Sequence, residues 1–419
     1  MVRVVVAALA GAVVALGVGA SEARPARSDQ VNIGGFQVGY GPAWQVLVPN
    51  FERYYPNITV NFTAAPGSTG LFQLESTELA AGNAPALLQT GPGCGAPVSV
   101  CVLAKAGDLA PLVQKPWVRR SLPLVTSADK SGAVLYAFTP MVAPMGVFTN
   151  DDLFKKLGLK VPETFSQLLD LCRKAKADGT VALMIQGASP QNILDLVDDL
   201  AVANVYGDDP HWNAERRAGT VTFAGTPGWH TALQEIVDMN SAGCFEPGFL
   251  DANPYPEFAQ GQGLMLSTMS NMKASIDLAN PQFHYSFRPF PGGASPTQTT
   301  TTLHLNGSLS VNAHASAQEQ AAAQTFIDFV ARPKQNALVA QTQGGLTQYE
   351  FLKQQIPSFM SAMAPVFKQH AYVIDPAQSW WNGDLVPTVE TDVIGLFTGQ
   401  ETPDNILQAM DAAWKQGPS

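Results

Sequence analysis

Short β-type runs and amphipathic helical segments alternate along most of this chain, and this alternation limits the fold more than any other sequence feature. The first helical segment, around Trp44 and Phe51, is expected to break or restart at Pro49. Residues 58–62 then alternate apolar and polar side chains, as a half-buried strand does, and a helical segment at 71–81 follows. Strands that alternate with helices predict a parallel α/β sheet.

The same pattern continues through the middle of the chain, with clear helix boundaries. Asn150 or Asp151 is expected to cap a helix that stops at Gly158, and Thr164 to cap one that ends near Gly179. A chain of 419 residues exceeds a typical single domain, so these segments predict two α/β units. Further strands are expected at 181–185, 263–267 and 308–311, and further helices at 190–203 and 227–242.

The amino terminus carries an apolar run of 17 residues, 4–20, directly after Arg3. We interpret residues 1–23 as a secretory signal, cleaved after Ala20 or Ala23. The alternative is an uncleaved anchor, but a spanning helix needs roughly 20 residues. No cysteine follows the run to carry a lipid, so we expect a freely diffusing periplasmic or secreted protein.

The four cysteines are even in number and accompany an export signal, which favours disulfides over metal binding. Three pairings are open; Cys94 and Cys101 could close a small loop and leave Cys172 with Cys244. Free buried cysteines are the alternative.

Charge and motif content exclude several functions. The net charge of −10 argues against nucleic acid and anionic membranes as partners, because both favour a basic face. The chain has no GxSxG or HExxH motif and no carboxylate pair in a matching context, and its six histidines are scattered. We therefore predict no enzymatic activity, no catalytic residues, no cofactor and no metal site.

Segments spread along the whole mature chain resemble, in the same order, the family of extracellular solute-binding proteins that includes maltose- and glycerol-3-phosphate-binding proteins. The most specific is GAVLYAFTPMVAPMGVFTNDDLFKKLGLKVPETFSQLLDLCRKAK, which resembles the family's hinge crossing and entry to its second lobe. One departure is Ala86, where the family usually has an acidic residue. The other matching segments are FERYYPNITV, LAAGNAPALLQT, FAQGQGLMLSTMSNM, residues 306–346 and ETPDNILQAMDAAWKQ.

The resemblance implies the two-lobed α/β fold of periplasmic binding proteins. Each lobe would have a central sheet flanked by helices, and the lobes would hinge around a ligand cleft. Lobe 1 is expected at 30–140 plus 303–345, and lobe 2 at 141–302 plus 346–419.

A neutral sugar site needs aromatic rings for the sugar faces and amide or carboxylate groups for the hydroxyls. Trp380 and Trp381 lie in the polar stretch QSWWNGD beside Asn382 and Asp384, and we interpret these four as ligand-binding. The alternative is that one of the rings only fills the surface of the lobe.

Further candidates lie where the resemblance places loops at the cleft. Gln37, Tyr40 and Trp44 surround the end of the first strand, although the helical spacing of Trp44 fits a core position equally well. The remaining candidates are individually as typical of turns and helix caps as of binding sites, and are Ser68, Gln89, Asn271, Asn306 and Gly307.

The resemblance implies a monomeric substrate-binding component of an ABC importer. It would capture a sugar or sugar-like solute between closing lobes and deliver it to permease and ATPase subunits. The alternatives are a glycerophosphodiester or other anionic solute in the same fold, a secreted glycoside hydrolase, and a sensing or adhesion role without transport.

Overall fold

The computed structural model describes residues 30–295, 299–349, 355–380 and 385–416. Within them the strands build two mixed sheets and one short hairpin. The strands are β1 (Val31–Gln37), β2 (Ile58–Ala64), β3 (Leu87–Thr90), β4 (Leu109–Ala110), β5 (Lys130–Ser131), β6 (Val134–Leu135), β7 (Ala137–Phe138), β8 (Val142–Asn150), β9 (Val181–Met184), β10 (Gly263–Met269), β11 (Tyr285–Arg288), β12 (Thr301–Leu305), β13 (Ser308–Asn312) and β14 (Tyr372–Ile374).

Helices cover both sheets and make up most of the chain after residue 315. The α-helices are α1 (Gly41–Tyr54), α2 (Ser68–Ala81), α3 (Val100–Ala106), α4 (Pro123–Ala128), α5 (Asp151–Leu157), α6 (Phe165–Ala177), α7 (Pro190–Ala201), α8 (Trp212–Ala218), α9 (Pro227–Ala242), α10 (Tyr255–Ala259), α11 (Lys273–Leu278), α12 (Ala317–Val330), α13 (Pro333–Gln343), α14 (Ala364–Lys368), α15 (Pro376–Ser379), α16 (Leu385–Asp392), α17 (Ile394–Thr398) and α18 (Pro403–Trp414). Short 3-10 segments lie at Pro116–Arg120, Phe249–Asp251, Ser270–Met272 and Ser358–Met363, and a π-helical turn at Val202–Tyr206 follows α7.

The two sheets define two lobes. The first sheet has the order β2-β1-β3-β13-β4, with β7 also paired to β13; β1 is parallel to β2 and β3, and β13 is antiparallel to its neighbours. The second has the order β14-β12-β8-β10-β9, with β11 also paired to β8. This confirms the predicted two-lobed α/β architecture.

The chain crosses between the lobes at three places. The first crossing, at 139–141, joins β7 to β8, and the second, at 306–307, joins β12 to β13. Because β12 pairs only within the second sheet, the second crossing falls later than the expected residue 303. The third lies at 344–345, after α13, and the next residue, Leu346, exchanges two backbone hydrogen bonds of 2.8 Å with Val142.

Local sequence signals account for many of the helix boundaries. The Asn150 side chain accepts a hydrogen bond from the Leu153 amide at the start of α5, and Gly158 ends that helix with φ of +62°. Thr164 caps α6 through the amide of Gln167. These caps confirm the predictions made for both helices.

The expected break of the first helix is wrong. Helix α1 runs through Pro49 without interruption, because the proline removes only one backbone hydrogen bond and the apolar face on either side of it is buried. Leu47 and Phe51 are both fully buried in the core of the first lobe.

Each disulfide joins two residues of the same lobe, one disulfide in lobe 1 and the other in lobe 2. Cys94, in the loop that leads into α3, bonds to Cys101 of α3, and Cys172 of α6 bonds to Cys244 after α9. Of the three open pairings, the one present is that in which Cys94 and Cys101 close a small loop. Among the described residues, no helix is long and apolar enough to cross a membrane.

Removing the two disulfides separately is expected to cost different amounts of stability, because a longer closed loop restricts the unfolded chain more. The bonded cysteines are 72 residues apart for Cys172–Cys244 and 7 apart for Cys94–Cys101. We predict a loss of about 4 kcal/mol for Cys172→Ser/Cys244→Ser and about 2 kcal/mol for Cys94→Ser/Cys101→Ser. Urea denaturation of the two double variants measures both; the reverse order would contradict the prediction.

Candidate functional site

A cavity of about 170 Å³ lies between the lobes, next to the second crossing. Lobe 1 lines it with the loop after β1, the first turn of α2 and the end of β3. Lobe 2 lines it with α7, the end of β10 and α15. Strands β1 and β3 are parallel, so their carboxyl ends meet at this edge, where open α/β sheets bind ligands.

The lining combines apolar surface with a few polar groups. Phe72, Leu194 and Val386 contribute apolar side chains from three different helices. The polar contributors are Ser68, Gln89, Thr90, Gln191, His304, Asn306, Asp375 and Gln378. Mostly apolar walls with few polar groups are typical of small-molecule sites.

Two glutamines fix the backbone at the edge of the cavity. The Gln89 side chain accepts a hydrogen bond from the Val38 amide (2.9 Å) and donates one to the Val38 carbonyl (3.0 Å). Gln378 does the same for Leu305, at 3.0 Å each. Each glutamine side chain thus pairs with both the amide and the carbonyl of one backbone residue, as a neighbouring strand would. These bonds hold the loop after β1 and the end of β12 in place.

His304 forms the polar centre of the lobe 2 wall. Its Nδ1 lies 2.7 Å from Asp375 Oδ2, and its Nε2 lies 3.3 Å from the Gln378 side-chain nitrogen. Leu305 fixes the orientation of the Gln378 amide, so that nitrogen faces Nε2. Burial lowers the pKa of His304, but the hydrogen bond with Asp375 and the charges of Asp375 and Asp195 together outweigh it, and the net shift is upward.

Asp195, His304 and Asp375 could together hold a divalent cation, since one ligand atom from each lies within 4.8 Å of the others. The His304 Nδ1 and one Asp375 oxygen already satisfy each other by a hydrogen bond. His304 and Asp375 thus form a hydrogen-bonded pair, and Asp195 bonds to Gln191 instead (3.0 Å).

The helix behind this group places acids in an apolar environment. Asp195, Asp198 and Asp199 of α7 are all buried. Burial raises the pKa of Asp195 to about 7, and burial followed by repulsion from Asp375 raises that of Asp198 well above its usual range. Burial also raises the pKa of Asp375, but the hydrogen bond and charge of His304, together with hydrogen bonds from Asp198 and the Ala377 amide, outweigh it and the net shift is downward. The wall is therefore partly protonated near neutral pH.

The structure brings four of the predicted site residues to the cavity: Ser68, Gln89, Asn306 and Gly307. The Asn306 side-chain nitrogen has no hydrogen-bond partner among the described residues, which leaves a donor for a ligand. Gly307 has φ of +74°, and an added Cβ there would lie 2.6 Å from the Gln89 side-chain nitrogen. Glycine at this position permits both the turn and the close approach of Gln89.

Other predicted residues lie behind the cavity wall. The Gln37 side chain accepts a hydrogen bond from the Tyr40 amide, and the Tyr40 hydroxyl donates to the Gly307 carbonyl at 3.2 Å. Asn271 lies in the 3-10 segment after β10 and does not line the cavity. Gln37 and Tyr40 therefore support the backbone around the site without lining the cavity.

The two described tryptophans of the prediction have core positions instead. Trp44 is 4% exposed and stacks on Phe62 with a centroid distance of 5.0 Å. Trp380 is 0% exposed and packs edge-on against Phe223 at 5.9 Å. Although Trp380 lies in a polar stretch of the sequence, aromatic residues from distant parts of the chain enclose it. Trp381, Asn382 and Asp384 lie outside the described residues.

Sequence reasoning missed several residues of the site. His304 was one of the scattered histidines, and its position just before the Asn306-Gly307 crossing was the available signal. Phe72 and Gln191 belong to no recognisable sequence motif. Helical spacing alone does not distinguish a side chain that faces the cleft from one in the core.

Two hinged lobes around a small, mostly apolar cleft with convergent polar groups define a small-solute binding protein. The model of the family described as bacterial extracellular solute-binding protein matches residues 37–337. The chain belongs to this family, which agrees with the prediction of a binding protein rather than an enzyme.

A sugar-binding protein matches part of this chain at low sequence identity. A multiple sugar-binding protein of Streptococcus mutans is 23% identical over 196 residues, which cover 44% of this chain and 45% of that protein. The match thus spans about half the length of that relative.

Solved structures match over nearly the whole chain. Maltose-bound MalE3 of T. maritima is 19% identical with a TM-score of 0.73, covering 92% of this chain and 99% of that one. A Bacillus licheniformis sugar transporter in complex with stachyose is 17% identical with a TM-score of 0.72, covering 92% and 100%. These likenesses show the shared fold.

The buried acid of α7 predicts a pH dependence of stability. The unfolded chain releases the Asp195 proton near pH 4, whereas the folded protein holds it to about pH 7. Between these values the folded state binds more protons, so stability falls as pH rises. The amide of Asp195→Asn imitates the protonated acid, and we expect this variant to exceed the original chain in stability by about 2–4 kcal/mol at pH 8 and by little at pH 4.

Urea denaturation across this pH range measures the effect. Asp208→Asn is the matched control, because Asp208 is exposed and loses the same charge. A constant difference between Asp195→Asn and the original chain at all pH values would contradict the assignment.

Proposed function

We propose that this chain captures a sugar or sugar-like solute between its two lobes as the substrate-binding component of an ABC importer. The observation that carries the proposal is the interlobe cavity, which both lobes and the second crossing line. The relatives include a multiple sugar-binding protein and structures with maltose or stachyose bound, which supports a sugar as the solute class.

The chemistry of the cavity suits a small neutral polyol. Phe72 is half-buried and lines the cavity, so its ring can pack on the C–H face of a sugar. Gln191, Asn306 and Asp375 supply donors and acceptors for hydroxyl groups. No lysine or arginine lines this cavity within the described residues, which disfavours a phosphate group inside it.

The size of the cavity favours a compact ligand. At about 170 Å³ it is below the roughly 300 Å³ at which sites for drug-sized ligands begin. In this degree of closure the lobes enclose a single small ring, and a longer sugar requires them to stand further apart.

Glycines allow the lobes to close. Gly95 of lobe 1 meets Ala377 of α15 so closely that an added Cβ would overlap the Ala377 carbonyl oxygen, and Gly93 meets Gln378 in the same way. The ligand therefore contacts both lobes only when this backbone approach is made, and its binding shifts the population towards closure.

Export and transport complete the proposal. The family is extracellular, and a cleaved signal within 1–23 would deliver the mature monomer to the periplasm or the medium. The closed form would then present a surface composed of both lobes to the permease, whose ATPase subunits drive import.

Calorimetric titration of the mature chain with mono-, di- and oligosaccharides tests the function, and Gly95→Ala tests the closure. We expect one or a few sugars to bind with 1:1 stoichiometry. Gly95→Ala should raise the dissociation constant at least about tenfold, because the new methyl group keeps the lobes apart.

Gly34→Ala is the matched control, because its Cβ would make ordinary contacts, 3.4 Å from the Asn61 carbonyl oxygen at the nearest. Both variants should unfold at similar urea concentrations. Unchanged sugar affinity in Gly95→Ala would refute closure at this contact, and the absence of binding to every sugar would refute the solute class.

A further inference from the structure

A second, larger pocket lies next to the sugar cavity. Its volume is about 730 Å³, and Gln378 lines both spaces. Lobe 1 contributes the Cys94–Cys101 disulfide, α3 and β5, and lobe 2 contributes α8 and the segment 372–379. The pocket therefore lies between the lobes, like the sugar cavity.

The lysine, arginine and histidine side chains that line this second pocket come from both lobes. Lys105 and Lys130 line it from lobe 1, and His211 and Arg217 from lobe 2. No aspartate or glutamate is among the described residues that line it. We call these four residues the basic pocket. The chain as a whole has a net charge of −10, so a cluster of basic residues without acidic ones differs from the rest of its surface.

The cations of the basic pocket lack counter-charges. None of Lys105, Lys130 and Arg217 forms an ion pair within the described part of the chain. Among the described residues, Arg217 donates a hydrogen bond to the Ser379 carbonyl at 2.9 Å, and burial lowers its pKa. A partly desolvated guanidinium without a carboxylate is a donor set for an oxyanion.

The placement of the cations couples them to closure. Lys105 follows the disulfide by one helical turn, so Cys94–Cys101 fixes the position of α3 and its charge. When the lobes approach, the lysines of lobe 1 come towards Arg217 of lobe 2 across the pocket. Their mutual repulsion opposes closure unless an anion lies between them.

We propose that the basic pocket binds a small oxyanion such as phosphate or sulfate, and that this anion promotes closure of the lobes on the solute. The anion is either free or a substituent of the bound solute, with the same recognition chemistry in both cases. The effect on solute affinity rests on the proposed sugar-binding function, whereas binding of the anion itself does not.

The first test measures anion binding without sugar. The melting temperature is measured in 10 mM potassium phosphate and in potassium chloride of equal ionic strength. At this low concentration the general salt effects of the two solutions are about the same. We expect phosphate to raise the melting temperature of the original chain by several degrees, and to have no such effect on Lys105→Gln/Lys130→Gln.

Lys160→Gln/Lys174→Gln is the matched control, since both lysines are exposed, lie outside the pocket and lose the same charge. It should keep the response to phosphate. An equal response in both double variants, or no difference between phosphate and chloride in the original chain, would overturn the proposal.

The second test separates the two sources of the anion. If the anion is free, phosphate lowers the dissociation constant of a neutral sugar at least about fivefold, and Lys105→Gln/Lys130→Gln abolishes this change. If the anion belongs to the solute, a sugar phosphate binds more tightly than the neutral sugar, and inorganic phosphate competes with it.

The two proposals fail separately. Stabilisation by phosphate without binding of any sugar would retain the anion site and reject the sugar. Sugar affinity that responds to neither free phosphate nor a phosphate substituent would overturn the coupling to closure.

Discussion

One buried carboxylate joins the crossings on which the two-lobed structure depends. Asp129 is fully buried and accepts hydrogen bonds from the Thr139 amide (3.0 Å), the Thr139 hydroxyl (2.9 Å) and the Ser308 hydroxyl (2.8 Å). Thr139 begins the first crossing and Ser308 ends the second. Gln348, just after the third crossing, donates to the Thr139 carbonyl at 2.9 Å. Since an unsatisfied buried charge is costly, these bonds fix the relative positions of the three strands about which the lobes move.

The solute site follows from this hinge. Gly307 connects the end of β12 to Ser308, which is bound to Asp129. The Gly307 carbonyl accepts a hydrogen bond from the Tyr40 hydroxyl. Gln89 and Gln378 then hold the neighbouring strand ends through paired backbone hydrogen bonds. The cavity floor is therefore rigid, while Gly93 and Gly95 leave the far side free to open and close. Fixed strand ends on one side, and a close approach of glycine backbone to the opposite lobe on the other, suit a cleft that closes on a solute.

The sequence predicts what depends on near neighbours and on shared motif order. Caps at Asn150 and Thr164 were predictable because each satisfies a backbone amide within the same turn. The two-lobed class and four cavity residues followed from the order of motifs. The burial of Trp380 was not predictable, because Phe223 and Trp229, far away in the chain, enclose it. The same holds for His304 and Asp375, which are 71 residues apart and meet only through the pairing of β12 with β14.

Hydrogen–deuterium exchange of the mature chain, with and without a bound sugar, tests most directly whether the solute is held between the lobes. Slower exchange is predicted on both sides of the cavity at once, in the lobe 1 segment 89–96 and the lobe 2 segment 376–379, because one ligand restrains both. Protection confined to the segments of a single lobe, with unchanged exchange in the other, would contradict capture by closure.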